Sequence, residues 1–267
     1  MKSEPRYSNA RDYLSGLAAS GRYHFVSREA RSALGVSADA AKLALNRLAR
    51  QGLIASPARG FYVIVPPEYR ALGCLPAEQF IPALMDREGR AYYAGLLTAA
   101  QYHGAAHQRP QAFQVFVDSR RRELVCGKVR VVFMLSSRLQ EVPVQILNTP
   151  RGTLRVSTPE ATAIDLVGYQ VQAGGLNQVA AVLSELAERL RADKLPAAAE
   201  AAPIPWAQRL GYLLDLVGAA EKATDLKEYV RARAHQSTAL LPGVPHEDSE
   251  RDAGWKLYVN AGVEPAL

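Results

Sequence analysis

The hydrophobic pattern of the first 35 residues predicts two helices joined by a short extended segment. Apolar side chains recur at helical spacing between residues 9 and 19, which predicts a first helix that stops at Gly21. A two-residue extended segment, 25–26, follows it. This segment ends at Ser27, which we expect to cap a short second helix that runs to Leu34.

A third helix has the clearest periodicity, with Ser37 as its expected N-cap and residues 38–51 as its body. Gly35 can turn the chain before it, because glycine tolerates a positive φ. At 100° per residue, one face of this helix is apolar and is expected to be buried: Ala41, Ala44, Leu45 and Leu48. The opposite face and its flank carry polar side chains and one leucine: Asp39, Lys42, Leu43, Asn46, Arg47 and Arg50.

A β-hairpin is predicted directly after the third helix. Its strands begin at Leu53 and Phe61, and its turn covers residues 57–60. A short helix, a glycine turn, a longer helix and a hairpin are the elements of a winged helix-turn-helix, which we assign to residues 1–70. Arg59 in the hairpin turn is placed to reach a phosphate or the minor groove.

The outward face of the third helix has the chemistry that reads double-stranded DNA. Lysine and arginine bind phosphates or guanine, asparagine pairs with adenine, and an apolar side chain can contact the thymine methyl group. The free N–H groups at the helix N-terminus can hold a phosphate. We therefore predict DNA binding through these residues: Ser37, Asp39, Lys42, Leu43, Asn46, Arg47, Arg50 and Arg59. The alternative is a basic helical domain that only packs on its neighbour and whose charges are solvated.

Residues 71–267 predict an α/β domain with a mostly β-rich centre and C-terminal helices, so the fold class of the whole chain is α+β. A helical pattern covers residues 76–104. Strand patterns and then helical patterns follow in order: residues 113–117, 128–135, 142–147 and 153–156, and then 159–169, 176–190, 206–218 and 225–234. We interpret the Ala- and Pro-rich residues 195–205 as a linker. The tail contains an acidic run, 246–252, and we expect it to be a loop that packs through Trp255 and Tyr258.

The net charge of +6 is unevenly divided along the chain. Residues 1–70 contain eleven Lys and Arg against five Asp and Glu, and residues 71–158 contain eleven against six, whereas residues 159–267 contain ten against fifteen. This distribution is typical of a protein whose front half meets a polyanion. A second group of cations lies in the β-rich centre: Arg120, Arg121, Arg122, Lys128 and Arg130. These residues form either a solvated face or a second surface for DNA backbone or a partner.

Motifs for catalysis are missing from the sequence. It contains no phosphate-cradling glycine loop, no nucleophile elbow and no HExxH motif, so we expect no catalytic residues, no cofactor and no metal. Cys74 and Cys126 are interpreted as small hydrophobic residues, and the pair His103 and His107 lacks a third ligand. No secretory or membrane-spanning segment is predicted, and we expect a cytoplasmic protein with no membrane partner.

The order of the motifs along the chain resembles one family. The predicted winged helix ends in GFYVIVPPEYR, the segment YYAGLLTAAQYHGA follows, and after the predicted strands RVSTPEATAIDLVGY opens a helix. Together these segments resemble the AbiEi-type antitoxins of bacterial type IV toxin–antitoxin systems. That resemblance implies a transcriptional repressor that binds its own operon at inverted repeats, with two copies on the DNA. It also implies a C-terminal domain that counteracts a nucleotidyltransferase toxin without forming a stable complex.

By the same resemblance, five residues would contact the operator: Lys42, Asn46, Arg47, Arg50 and Arg59. Two other functions stay open. A metal-dependent nuclease or nucleotide-modifying enzyme, brought to DNA by the winged helix, would use Asp118, Glu160 or Asp165. A transcription factor whose rear domain senses a small molecule would need a closed apolar pocket.

Overall fold

The computed structural model describes residues 7–105 and 110–264. These residues have the mixed α and β composition that the sequence predicts. The chain forms two compact units, each assembled from three segments: Met1–Tyr92, Gln111–Leu135 and Ile146–Leu154 in unit 1, and Tyr93–Pro110, Ser136–Gln145 and Arg155–Leu267 in unit 2. The domain boundary at residue 70 stays a prediction.

The N-terminal part of unit 1 alternates helices with the strands of a small antiparallel sheet. In chain order its elements are α1 (Ala10–Ala19), β1 (His24–Val26), α2 (Ser27–Leu34), α3 (Ala38–Arg50), β2 (Ile54–Ala58) and β3 (Phe61–Ile64). The central strand is β3, in which Val63 pairs with His24 of β1 and Ile64 pairs with Ile54 of β2. All six elements lie where the hydrophobic pattern predicts them.

These elements share one hydrophobic core, which the three helices and the sheet supply together: Tyr13, Leu14, Leu17, Phe25, Ala30, Leu45, Leu48, Ile54 and Ile64. The predicted cap of α2 is wrong, because the helix begins at Ser27 and its N-cap is Val26. Glu29 supplies the acceptor instead, since its carboxylate accepts a hydrogen bond from the Val26 N–H at 2.9 Å.

The centre of the chain is rich in strands. In chain order its elements are α4 (Ile81–Glu88), β4 (Tyr92–Ala94), α5 (Leu96–Tyr102), β5 (Phe113–Val117), β6 (Leu124–Cys126), β7 (Val129–Leu135), β8 (Val144–Thr149) and β9 (Gly152–Ser157). In unit 1, β7 pairs in parallel with β5 and antiparallel with β6. In unit 2, Ala94 of β4 pairs in parallel with Val156 of β9.

The continuous helical pattern predicted for residues 76–104 is wrong at its middle. A strand, β4, interrupts it between α4 and α5, because the backbone there pairs with a strand far along the chain. The short strand β6 has no counterpart in the predicted elements. The four predicted strands correspond to β5, β7, β8 and β9.

The helices of unit 2 follow β9. They are α6 (Pro159–Gly168), α7 (Leu176–Leu186), α8 (Leu195–Glu200), α9 (Ile204–Leu216) and α10 (Thr224–Arg233). Thr158 caps α6 as expected, because its hydroxyl accepts the Ala161 N–H at 3.3 Å. The linker predicted for residues 195–205 is wrong at both ends, because α8 covers its first six residues and α9 begins at Ile204. Pro196 stands in the first turn of α8, where proline is compatible with a helix. No described helix is both long and apolar enough to cross a bilayer.

The tail of unit 2 is a small sheet and not the predicted loop. Strand β12 (Leu257–Val259) pairs in parallel with β10 (Thr238–Ala239) and antiparallel with β11 (Glu250–Asp252). The expected packing through Trp255 is confirmed: its side chain is buried, and its indole N–H donates a hydrogen bond to Asp215 of α9 at 2.7 Å.

Candidate nucleic-acid interface

Helix α3 is positioned by its first turn and by its buried face. Gly35 has a φ of +63°, which allows the sharp turn between α2 and α3. The Ser37 hydroxyl caps α3 by accepting the Ala40 N–H at 3.2 Å. The inner face of the helix is made by three buried side chains: Ala41, Leu45 and Leu48. The rotation of the helix about its axis is therefore fixed by the core.

The opposite face of α3 lies in solvent. All eight residues proposed for DNA contact are exposed: Ser37, Asp39, Lys42, Leu43, Asn46, Arg47, Arg50 and Arg59. Leu43 is 59% exposed, which leaves it free to make an apolar contact. Among the residues that the structure describes, the side chains of Lys42, Asn46, Arg47, Arg50 and Arg59 have no ion pair and no hydrogen bond.

A groove of about 530 Å³ lies between α2, α3 and the β2–β3 hairpin. Its lining includes four cationic side chains: Arg28, Arg31, Lys42 and Arg59. No described carboxylate lines it. Four cations around one open groove, with no anion among the lining residues, form a surface suited to a phosphate backbone.

Arg28 and Arg31 are not among the DNA contacts that the sequence predicts. They are three residues apart on α2, so they lie on the same face of that helix. This spacing indicates a shared helix face, but two arginines on one exposed face do not by themselves predict a binding site. It gains meaning because α2 lies beside the hairpin turn, where the Ser27 N–H donates a hydrogen bond to the Gly60 carbonyl at 3.1 Å.

The carboxylate of α2 is already compensated. Glu29 accepts two hydrogen bonds from one Arg22 nitrogen, at 2.6 and 2.7 Å, and a third from the Val26 N–H. Burial raises the pKa of Glu29, but the bonds from Arg22 and Val26 lower it more, so the pKa lies below its ordinary value and the group stays ionised. Glu29 therefore does not pair with the cations of the groove, and these remain available to an external anion.

The second cationic group predicted from the sequence is only partly free. Arg121 forms an ion pair with Glu88 and lies over the ring of Phe133, with 4.7 Å between the guanidinium carbon and the ring centroid. Arg130 forms an ion pair with Glu123. Three exposed cations remain from the predicted five: Arg120, Arg122 and Lys128. A second surface for a polyanion stays a prediction for these three.

The carboxylates considered for metal chemistry have other partners. Asp118, in unit 1, accepts a hydrogen bond from Ser119 at 3.0 Å. In unit 2, the buried Glu160 accepts the Arg191 N–H at 3.1 Å, and the buried Asp165 accepts the Tyr93 hydroxyl at 3.0 Å. Desolvation raises the pKa of Asp165 to about 7, although the bond from Tyr93 opposes this shift.

No group of three or more His, Cys, Asp or Glu side chains in the described ranges could hold a metal ion. His103 is buried and its Nε2 lies 2.8 Å from the Ser157 carbonyl oxygen, whereas His107 lies outside the described residues. Cys74 and Cys126 are both free and buried, in agreement with their interpretation as small hydrophobic residues.

Comparison with known proteins gives one family match. Residues 93–216 match the family model described as the AbiEi antitoxin C-terminal domain. The match begins at Tyr93 and covers segments of both units, because residues 111–135 and 146–154 belong to unit 1. No curated protein matches the chain. The expected resemblance to AbiEi-type antitoxins is thereby confirmed through these residues.

A solved structure is similar over nearly the whole chain. It is the crystal structure of the RV2827C protein from Mycobacterium tuberculosis, with a TM-score of 0.66 and 18% sequence identity. The similarity covers 96% of this chain and 92% of that one. At this identity the likeness concerns the fold alone.

Proposed function

We propose, from the premise that residues 93–216 carry an AbiEi antitoxin C-terminal domain, that this chain is an antitoxin that also represses transcription. The N-terminal part of unit 1 is the DNA-binding module, a winged helix-turn-helix that binds operator DNA at inverted repeats. The matched domain counteracts a nucleotidyltransferase toxin. The protein acts by binding and not as an enzyme.

One observation supports the DNA-binding part above all others. The outward face of α3 and the adjoining groove together hold six exposed cations for which the described residues provide no anionic partner: Arg28, Arg31, Lys42, Arg47, Arg50 and Arg59. Because unpaired cations repel one another, such a cluster is favourable only when a polyanion or counterions neutralise it. A DNA backbone is the polyanion whose shape matches a protruding helix beside a hairpin.

In the proposed complex α3 enters the major groove. Asn46 would pair with an adenine edge and Leu43 would contact a thymine methyl group. Arg59 and the groove cations would bind phosphates on either side. Two copies would occupy half-sites about 34 Å apart, which is one helical turn of DNA.

The test is a binding titration of the full chain on the DNA upstream of its own gene, against random DNA of equal length, at several salt concentrations. Six phosphate contacts per copy predict that the logarithm of the binding constant falls with the logarithm of salt with a slope of about −5. Lys42→Ala should make that slope shallower by about 1. Lys194→Ala, an equal change of charge at an exposed position of unit 2, is the matched control and should leave the slope unchanged. Equal affinity for both DNAs, or a slope near zero, would refute the proposal.

The antitoxin part needs a separate test, because DNA binding does not report on it. The proposal predicts a nucleotidyltransferase gene beside this one. Cells that express that enzyme should stop growing, and co-expression of the full chain should restore growth. Failure of the full chain to rescue growth would contradict the antitoxin role.

A further inference from the structure

The turn of the β2–β3 hairpin is held from two sides within unit 1. On one side, the Ser27 N–H of α2 donates a hydrogen bond to the Gly60 carbonyl at 3.1 Å. On the other side, Nη2 of Arg87, a residue of α4, donates a hydrogen bond to the Arg59 carbonyl at 3.0 Å. The Arg87 guanidinium also lies 5.9 Å from the centroid of the Phe61 ring. Two successive carbonyl groups of the turn, those of Arg59 and Gly60, are therefore bound by other elements.

We infer that Arg87 is a positioning residue for DNA binding: it fixes the hairpin turn so that the Arg59 side chain stays in the cationic groove. This inference rests on the DNA-binding function proposed above. It places a determinant of that function in α4, beyond the segment of residues 1–70 that the sequence assigned to the DNA-binding module.

The contacts from α2 and α4 add to order within the hairpin itself, where the Ser56 Oγ lies 3.0 Å from the Ala58 carbonyl oxygen and 3.1 Å from the Phe61 carbonyl oxygen. Other features of the turn leave room for this added support. The pairing of β2 with β3 is irregular between Ala55 and Ala58, directly before the turn. Gly60 has a φ of +72°, a conformation that glycine adopts at low cost. Because glycine has no Cβ, it also gives the turn more conformational freedom than another residue would. Arg59 itself is exposed, and its side chain has no partner among the described residues. A turn without the contact from Arg87 would lose more conformational entropy when DNA binds. The contact lowers this loss because it already restricts the turn in the free protein.

Arg87 differs in placement from the cations that would contact phosphate. The groove is lined from α2, α3 and the hairpin, whereas Arg87 approaches the hairpin turn from α4 and uses its guanidinium on a backbone carbonyl. Its effect on DNA should therefore pass through Arg59. This expectation separates a positioning role from a direct contact, because a direct contact would act independently of Arg59.

The experiment is a double-mutant cycle on the full chain with upstream DNA. A lost hydrogen bond to the turn predicts that Arg87→Ala weakens binding about threefold. Arg59→Ala should weaken it about five- to tenfold, and the double variant should match Arg59→Ala alone. Arg87→Lys, which keeps one donor and the charge, should restore most of the affinity. Arg90→Ala removes the same charge nearby, but Arg90 bonds to Ser119 and not to the hairpin, so it should have no effect.

Hydrogen exchange of the free protein gives a readout that does not involve DNA. Arg87→Ala should raise the exchange of the hairpin peptide, residues 55–62, several-fold, and Arg90→Ala should not. Multiplicative losses from Arg59→Ala and Arg87→Ala, or unchanged exchange in Arg87→Ala, would overturn the inference. If the wild-type chain binds no DNA while exchange in Arg87→Ala rises, then the proposed function has failed, and Arg87 is a structural contact only.

Discussion

Leu45 and Asn46 are adjacent in α3 and have opposite environments. Leu45 is 2% exposed in the core of unit 1, whereas Asn46 is exposed and has no hydrogen-bond partner among the described residues. Consecutive helical residues point about 100° apart, so α3 can bury Leu45 and leave Asn46 in solvent. Stability and binding therefore depend on different residues of the same helix.

Asn46→Ala should lower the affinity for operator DNA by roughly 1–3 kcal/mol, because one base loses its paired amide. The loss should be confined to one base position, and the free energy of unfolding should change by less than about 0.5 kcal/mol. Leu45→Ala, in contrast, should lower the free energy of unfolding by roughly 2–5 kcal/mol. Fluorescence anisotropy on operator and random DNA, with urea unfolding, measures both. An equal loss on the two DNAs would rule out base reading by Asn46.

Asp165→Asn should change how stability depends on pH. Burial raises the pKa of Asp165 to about 7 from 3.8, so between these values the folded state holds a proton that the unfolded state has released. The contribution of Asp165 to stability is therefore greatest below about pH 4, falls by roughly 4 kcal/mol as pH rises to 7, and is then constant. The asparagine oxygen can still accept the Tyr93 hydroxyl, so the variant should lack this loss and should melt higher at pH 8.

Thermal and urea unfolding of wild type and Asp165→Asn at pH 5 and pH 8 measure this difference. Asp193→Asn is the control, since Asp193 is exposed and its ion pair with Arg191 is solvated. We expect that control to follow the wild-type pH dependence closely. An identical pH dependence in wild type and Asp165→Asn would contradict the assignment.

At the scale of single residues, local periodicity predicts correctly the side-chain directions that depend on one helix alone. The outward direction of Lys42 and its neighbours follows from the angle between helical residues, so no knowledge of the rest of the fold is needed. The roles of Arg28 and Arg31 depend on the hairpin that lies beside α2. Arg121 pairs with Glu88, which lies 33 residues earlier in the chain. A count of charges along the sequence does not predict this ion pair, because it depends on how the two segments pack.

At the scale of elements, α9 and the tail of unit 2 show how a glycine makes room for a large side chain. Gly211 lies in α9 directly against the indole ring of Trp255, and a methyl group at that position would overlap the ring. Gln208, one turn earlier, donates hydrogen bonds to the Trp255 and Lys256 carbonyls at 3.2 and 2.8 Å. The tail is therefore fixed to α9 by packing and by hydrogen bonds together.

Gly211→Ala should lower the free energy of unfolding by roughly 1–3 kcal/mol, because the ring must move to admit the methyl group. This loss is expected although alanine favours a helix over glycine by about 1 kcal/mol. Gly262→Ala is the matched control, since a methyl group there meets open space and the backbone is not in the left-handed region. Differential scanning calorimetry of the two variants measures this difference in stability. A Gly211→Ala variant as stable as Gly262→Ala would show that the tail does not pack as described.

The element boundaries that the sequence predicted correctly are those with local signals. The caps Ser37 and Thr158 stand where helices begin, and each accepts a hydrogen bond from the first turn. Strand β4 was missed because its tyrosines fall at helical spacing and its pairing partner, Val156, is remote in sequence. In α8, alanine and proline were interpreted as a linker, although proline in a first turn is compatible with a helix.

At the scale of the whole molecule, the two proposed activities belong to different stretches of the chain. The cations of α3 and its groove lie between residues 28 and 59, whereas the antitoxin family match covers residues 93–216, which include the segments 111–135 and 146–154 of unit 1. The charge follows the same division along the chain, since the first 70 residues carry a net +6 and the last 109 a net −5. Separate surfaces with separate charge predict that one activity can be lost while the other is kept.

The double variant Arg47→Ala/Arg50→Ala tests this separation in the full chain. Removing two phosphate contacts should weaken operator binding roughly tenfold or more at physiological salt and make the salt slope shallower by about 2. A reporter gene under the native promoter should therefore be derepressed, while rescue of growth from the toxin stays at the wild-type level. Gly211→Ala gives the complementary case, because a packing fault in unit 2 should impair rescue and leave α3 and its groove in unit 1 unaltered. Loss of rescue in the double arginine variant, at wild-type protein levels, would mean that toxin neutralisation itself requires DNA binding.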